Sequence, residues 1–237
     1  EKELSRYRHI FESNFKNYRL MLNVFINGSS GKMGLSLTNL INLNKKFNLI
    51  SEDISSSDVV IDFSHPCSTL KIVKECSAIK IPLIIGTTGL NKEILNEITN
   101  ASKNIPILLA SNMSIGILQL KKSIHNFLKY NENKIDCLIE EIHHSQKVDS
   151  PSGTAIEIND FIDLIDDKKN VSAIKINSKR VDDVFGIHKI TFTNEETSIY
   201  FKHEALSRDI FAIGALECAD SIQKIEPNVY KFEDIIN

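Results

Sequence analysis

The stretch Leu22-Asn23-Val24-Phe25-Ile26-Asn27-Gly28-Ser29-Ser30-Gly31-Lys32-Met33-Gly34 decides the fold. It runs from an apolar strand, Leu22–Ile26, through a small polar turn into a helical pattern over Lys32–Lys46. Glycines let a backbone approach a pyrophosphate closely. The helix that follows offers free N–H groups and the positive end of its dipole. The spacing is GxxGxxG, with Ser30 where the commoner GxGxxG has its second glycine. Alone, such a turn is compatible with plain loop chemistry, so its weight depends on what surrounds it.

Outward from this turn the same alternation repeats. Strand patterns at Asn48–Ile50, Val59–Phe63, Leu83–Ile85 and Ile107–Leu109 are separated by helical patterns at Pro66–Lys80 and Lys92–Lys103. Pro66 suits a first helical position and Asn91 suits a helix cap. Strand–helix alternation of this kind predicts an α/β fold with a parallel sheet covered on both faces. After a long helical pattern at Ile115–Tyr130 the rhythm changes. Strands Cys137–Ile142, His188–Thr193 and Ser198–His203 surround a helix at Gly153–Ile165, with a hairpin turn at Asn194-Glu195-Glu196. This second part reads as α+β with a mixed sheet. A last helix, Phe211–Gln223, is expected to return to the first domain. The expected division is therefore 21–112 with 212–237, and 113–211.

The chain has 237 residues, 42% hydrophobic and 25% charged, with a net charge of −3. A length near 1.6 times the usual ~150 residues allows one domain or two. Disorder, collagen and coiled coil are excluded as global classes. No apolar run reaches the ~18 residues of a membrane span. The charge balance makes no case for nucleic acid or anionic lipid as partner. Cys67, Cys76, Cys137 and Cys218 are scattered, with no CxxC pair. They suggest reduced thiols in a cytoplasmic setting. Residues 1–20 are charged and end just before Met21, so they read as an extension outside the fold. Their acids, Glu1, Glu3 and Glu12, argue against a transit peptide.

In open parallel sheets ligands bind at the carboxyl ends of the strands. Here those ends carry Asp62-Phe63-Ser64, Gly86-Thr87-Thr88-Gly89 and Ala110-Ser111-Asn112. Any one could be an ordinary turn; their common placement along one sheet edge points to a dinucleotide site. Asp53 lies 19 residues after Gly34, close to the ~20 expected of an acid that bonds an adenosine ribose. Glu52 is the alternative. No basic neighbour for a 2′-phosphate is evident, which leans toward NADH and leaves NADPH open.

The densest chemistry is Glu140-Glu141-Ile142-His143-His144-Ser145-Gln146-Lys147-Val148-Asp149-Ser150-Pro151-Ser152-Gly153-Thr154-Ala155. Two histidines and a lysine beyond a strand can move protons and bind anions near neutral pH. Ser150 to Thr154 form a helix entrance suited to a carboxylate. Together they suit a small acidic substrate. Glu140 with His143, and Glu141 with His144, have Glu-x-x-His spacing. On a strand, however, such partners point to opposite faces, so no metal site is expected.

The ordered set GSSGKMG, DFSHP, GTTG, ASNMSIG, EEIHHSQKVDSPSGTA and FKHEALSRDIFAIGAL resembles the bacterial dihydrodipicolinate reductase family, from Met21 to the C-terminus. The resemblance implies a Rossmann-like nucleotide domain and a mixed-sheet domain that binds substrate and builds a homotetramer. It implies pyridine-nucleotide contacts at Gly28, Ser29, Ser30, Gly31, Lys32 and Met33, at Gly86, Thr87 and Thr88, and at Ala110, Ser111, Asn112 and Met113. It assigns catalysis to His143 and Lys147, and substrate contacts to His144, Ser152, Gly153 and Thr154. The implied reaction is NAD(P)H-dependent reduction of a cyclic imine dicarboxylate in lysine biosynthesis, with Lys147 as proton donor. Three departures stand out: a short stretch between Gly34 and Asp58, Met113 in place of the usual Phe, and Val181-Asp182-Asp183 after Arg180 in place of a glycine-rich loop. An aspartate-dehydrogenase-like enzyme and an inactive nucleotide sensor on the same fold are the competing readings. Arg208 and His203 are further candidates to line the site or a subunit contact.

Overall fold

The computed structural model describes residues 21–236; the expectation for residues 1–20 lies outside them. The first part runs β1 (Leu22–Asn27), α1 (Lys32–Leu43), β2 (Phe47–Ile50), β3 (Val59–Asp62), α2 (Pro66–Ile79), β4 (Leu83–Ile85), α3 (Lys92–Ala101) and β5 (Ile107–Leu109). The second runs α4 (Ile115–Tyr130), β6 (Ile135–His143), α5 (Gly153–Ile165), β7 (Val171–Arg180), β8 (Ile187–Thr193) and β9 (Ser198–Glu204). The chain closes with α6 (Asp209–Ser221), β10 (Val229–Tyr230) and α7 (Phe232–Ile235).

The first sheet has the order β10-β5-β4-β3-β1-β2, and every pair is parallel. Its inner strands β3, β4 and β5 are almost wholly Val, Ile and Leu because helices cover both faces. On one face α1 and α6 bring Leu37, Leu40, Ile41, Ala212 and Leu216 against Val24, Ile26 and Ile61. On the other, α2 and α3 bring Ile72, Val73, Ile94 and Ile98 against Val60, Leu83 and Ile85. Each such aliphatic side chain contributes about 1.5–3 kcal/mol by leaving water. The start signals act as expected: Pro66 opens α2, and the Asn91 side chain accepts from the Ile94 N–H at 3.0 Å to open α3. α1 stops at Leu43, short of Lys46, because Asn44 turns the chain and its side chain accepts from the Lys46 N–H. α6 begins at Asp209, ahead of the expected segment start at 212, and packs on α1 through the shared core.

The second sheet has the order β7-β6-β8-β9, parallel between β6 and β7 and antiparallel elsewhere. Parallel neighbours need a crossover, and α5 supplies it. α4 and α5 seal one face around Ile124, Ile139, Ile158, Ile162 and Phe192. The sequence reading had no strand at β7. This edge strand alternates exposed Lys175, Asn177 and Lys179 with half-buried residues, so it lacks an apolar run. Along β6 the burial alternates strictly, which puts Ile139, Glu141 and His143 on the covered face.

Among the described residues no helix is long and apolar enough to cross a membrane. Cys67 is exposed, whereas Cys76, Cys137 and Cys218 are buried and unpaired. Burial pushes the Cys76 and Cys137 thiols up to about 12, which leaves them unreactive.

Candidate active site

The carboxyl edge of the first sheet is drawn tight around its glycines. Gly28 has φ of +88°, and a Cβ there would lie 2.7 Å from the Phe63 carbonyl oxygen. A Cβ on Gly34 would lie 2.2 Å from the Gly28 carbonyl oxygen, so the turn closes only with glycine at both positions. A Cβ on Gly86 would collide with the Phe63 ring at 2.1 Å. Beneath the loops, fully buried Asp62 accepts from Asn27 Nδ2 at 2.8 Å, Thr69 Oγ1 at 2.5 Å and Thr87 Oγ1 at 3.0 Å. Thr87 therefore serves to bind the strand ends together, while Thr88 is exposed beside it.

The first turn of α1 has no side-chain cap and no acid, so its N–H groups and dipole remain available to an anion. Ser29, Ser30, Gly31 and Lys32 are exposed around it. This uncapped helix start behind an obligatory glycine turn fits the pyrophosphate of a dinucleotide. Asp53 stands three residues beyond the end of β2. It caps a short 3₁₀ turn, Ile54–Ser56, and accepts from the Ser55 N–H at 2.9 Å and from the Ser55 and Ser56 hydroxyls. Those bonds hold its exposed carboxyl below the usual range.

The histidine segment begins at the last residue of β6. Glu141 and His143 are two residues apart, so they share the covered face. The Glu141 carboxylate meets His143 Nδ1 in a short hydrogen bond. Arg180 Nη1 donates to both Glu141 oxygens, at 2.9 and 3.1 Å. Burial opposes ionisation of Glu141, yet hydrogen bonds from Ser178, His143 and Arg180 outweigh it and keep its carboxyl below the usual range. Burial pushes His143 down, and the Lys147 and Arg180 charges add to that, against the pull of Glu141. The imidazole is thus neutral near pH 7, with Nδ1 engaged and Nε2 left for other work. His188 packs edge-on to it at 5.1 Å between ring centres.

Lys147 Nζ lies 2.8 Å from Asp149 Oδ1. At the start of α5 the Ser152 hydroxyl accepts from the Ala155 N–H and meets His188 Nε2 at 3.3 Å. Ser152 is therefore a cap rather than a surface facing ligand. Thr154 Oγ1 accepts from Asn112 Nδ2 at 3.1 Å, which ties α5 to the loop after β5. Ser111 makes a second tie, donating to Glu157 Oε2 at 2.9 Å, and Glu157 in turn receives buried Lys121 at 3.0 Å.

These elements enclose one cavity of about 180 Å³. From the nucleotide edge it is lined by Met33, Gly86, Ala110, Ser111, Asn112 and Met113. From the other domain it is lined by His143, His144, Lys147 and Thr154, with Phe185 and Arg208 closing it. The Arg208 guanidinium lies 4.8 Å from the Phe185 ring centre. Burial, then Arg208 and Lys32, push His144 down. Gly28 to Lys32 lie outside the lining, but Lys32 Nζ reaches the loop between His143 and Lys147 at Gln146, 3.1 Å away. Asp53, Thr87, Thr88, Ser152 and Gly153 also lie outside it. Gly153 lines a neighbouring cavity of about 390 Å³ with Ser111, Lys121 and Glu157. His203 does not line the site; its Nε2 meets Ser114 Oγ at 3.0 Å. Sequence reasoning missed Phe185 and the roles of Glu141, Arg180 and His188. The i, i+2 spacing of Glu141 and His143 on a strand was the available signal for that pair. Among the described residues no cluster of three or more His, Cys, Asp or Glu could hold a metal ion.

Comparison with known proteins gives one consistent picture. The family described as dihydrodipicolinate reductase, N-terminus, matches residues 48–113, and dihydrodipicolinate reductase, C-terminus, matches residues 116–236. The 4-hydroxy-tetrahydrodipicolinate reductase of Bdellovibrio bacteriovorus is 36% identical over 219 residues, covering 88% of this chain and 93% of that protein. The enzyme of the same name from Alkaliphilus oremlandii is 35% identical over 238 residues, covering 91% of this chain and 99% of that protein. A dipicolinate-bound dihydrodipicolinate reductase from Paenisporosarcina sp. TG-14 shares the fold, with a TM-score of 0.71 at 21% identity over 92% of this chain and 100% of that one. With both halves matched and relatives above 30% identity over most of its length, the chain belongs to the dihydrodipicolinate reductase family.

Proposed function

We propose that the protein reduces 4-hydroxy-tetrahydrodipicolinate to tetrahydrodipicolinate with NADH or NADPH, in the diaminopimelate branch of lysine biosynthesis. The observation that carries this reading is the shared cavity: the glycine-lined sheet edge and the His143/Lys147 loop face each other across it. When bound, the nicotinamide supplies a hydride to the conjugated ring, from which the 4-hydroxyl has left as water. Everything else is proton handling and charge. Lys147 donates the proton the reduced ring takes up, from an ammonium held by Asp149. His143, neutral and fixed from behind by Glu141, presents an acceptor Nε2 beside Lys147, through which a proton can be relayed toward the ring. His144, Arg208 and the α5 entrance at Gly153 and Thr154 hold the two carboxylates. Gly28 to Met33, Gly86 to Thr88 and Ala110 to Met113 hold the dinucleotide, with Asp53 or Glu52 on its adenosine side.

The same reading divides the chain into a nucleotide domain, 21–112 with 212–237, and a substrate domain, 113–211. It assembles four copies through the second sheet, whose β9 leaves Ile199 and Tyr200 exposed. The free cysteines suit a reducing cytoplasm. Sedimentation of the purified chain reads the assembly directly.

The deciding assay generates the unstable imine in situ and follows oxidation of NADH and NADPH separately. Turnover with either cofactor is the expected result. Absence of turnover with both overturns the reading, and near-normal turnover in both Lys147→Ala and His143→Ala overturns the residue assignment.

A further inference from the structure

His143 and Lys147 sit on different kinds of backbone, one on a strand end and one in a loop. One buried ion pair touches both. Glu141 is fully buried at 0% exposure, and its two oxygens are saturated by His143, Arg180 and the Ser152 N–H at 3.3 Å. Arg180 does more than neutralise it. Its Nη2 donates to the Asp149 carbonyl and its Nε to the Lys147 carbonyl at 3.4 Å. A single guanidinium thus spans the carboxylate behind the histidine and the backbone that carries the lysine.

We propose that Glu141 and Arg180 are positioning residues for this reaction: Glu141 fixes His143 with its proton on Nδ1, and Arg180 sets the Lys147 loop in register with that imidazole. The proposal rests on the reading that His143 and Lys147 perform the chemistry. Its physical basis is the rigidity of the fork. A planar guanidinium bonded to five acceptor atoms at once, the two Glu141 oxygens and the Lys147, Asp149 and Lys179 carbonyls, cannot shift without moving them. A carboxylate behind an imidazole selects one tautomer and one ring orientation. Stability alone is a poor reason for such a pair, because packed apolar residues commonly replace buried ion pairs at no loss. The groups facing His143 are Glu141 from β6, Arg180 from β7, His188 from β8 and Lys147 from the loop.

The test uses the full chain with Glu141→Gln, Arg180→Lys and Arg180→Ala. Glu141→Gln is expected to lower kcat about 10–100-fold with the cofactor KM unchanged. It also removes the anion that favours a charged imidazole, so the histidine limb of the kcat/KM profile moves to lower pH. Arg180→Ala is expected to lose as much and to regain activity with added guanidinium chloride at millimolar concentration but not with methylammonium chloride. Arg180→Lys keeps the charge without the fork and stays impaired. Independently of turnover, 15N spectra of His143 above its pKa should show the Nδ1–H tautomer in the wild type.

Wild-type kcat and an unmoved profile in Glu141→Gln overturn the proposal. So does an Nε2–H tautomer in the wild type. If Glu141→Gln does not fold, guanidinium rescue of Arg180→Ala still decides, and absence of rescue counts against it. If the wild type reduces no cyclic imine, the functional reading itself has failed and this proposal falls with it. A crippled Lys147→Ala beside a normal Glu141→Gln sinks the positioning role alone.

Discussion

Lys147 and Gly153 share one carboxylate: Asp149 Oδ1 lies 2.8 Å from Lys147 Nζ, and Asp149 Oδ2 accepts from the Gly153 N–H at 3.3 Å. Burial opposes the Asp149 charge, but Lys147 outweighs it and holds the carboxyl below its usual range. The proposed proton donor is therefore indexed to the helix start proposed to receive substrate. Asp149→Asn keeps an acceptor for Gly153 and loses the ion pair. Its kcat should fall about tenfold, through a misplaced ammonium, with the cofactor KM unchanged. Steady-state kinetics at saturating NADH and NADPH check this.

Lys147→Ala removes the proposed donor itself. A positioned acid is typically worth ~10²–10⁴ in rate, so kcat should drop by that factor. Cofactor affinity, read by fluorescence titration, should stay within about twofold, because a loss confined to kcat marks a group acting in the transition state. A variant that loses cofactor binding instead would place Lys147 on the nucleotide.

The loop glycines permit a paired comparison. Gly34→Ala drives a methyl group to 2.2 Å from the Gly28 carbonyl oxygen and 2.6 Å from Ser29 Cα. Rigid backbone cannot give way as a side chain would, so the variant should lose about 1–3 kcal/mol and bind cofactor more weakly. Gly89→Ala has nothing within 4 Å but keeps φ of +73°. It should cost about 1 kcal/mol of left-handed strain and leave cofactor affinity intact. Urea titration and cofactor binding on both variants separate the two effects.

Stability should fall on acidification because of His188. Burial, helped by the field of His143, pushes this histidine down to about 3. In the unfolded chain it takes a proton near 6.5, so between those values the unfolded state binds more protons than the folded one. Stability is fully present above pH 6.5 and drains away toward pH 3. At about 1.4 kcal/mol per unit of pKa difference the loss amounts to a few kcal/mol. Urea midpoints at pH 7 and pH 5 should separate in the wild type and converge in His188→Gln. His143, His144 and His203 are shifted the same way, so a residual slope is expected in the variant.

Much of the fold is written locally. The Val- and Ile-rich strands, Pro66 and Asn91 at helix starts, and the Gly28–Gly34 turn all act through near neighbours, and each could be read before any contact was known. β7 could not, because an edge strand half open to water needs no apolar run. β10 is only two residues long, too short to carry a pattern. The site divides along the same line. His143, His144 and Lys147 stand in one segment whose chemistry is visible in its composition. Arg180 acts on Glu141 from 39 residues away and on Lys147 from 33, so no spacing rule reaches it. Asp53 adds a local feature that spacing does not carry: it stands at the distance expected of a ribose acid, and its oxygens also accept from Ser55 and Ser56.

β10 also governs the order in which the protein can become whole. The loop that carries Ala110 to Met113 follows β5, and β5 is held between β4 and β10 at residues 229–230. Behind that sheet, Phe232 and Ile235 of α7 fill the same core as Val24 and Leu37. The wall of the pocket made by residues 110–113 is thus finished only by residues 229–235, which are synthesised after it. A nascent chain stalled short of residue 229 would carry every side chain proposed for catalysis and still lack the β5–β10 pairing, so removing residues 229–236 should silence the activity without touching those side chains.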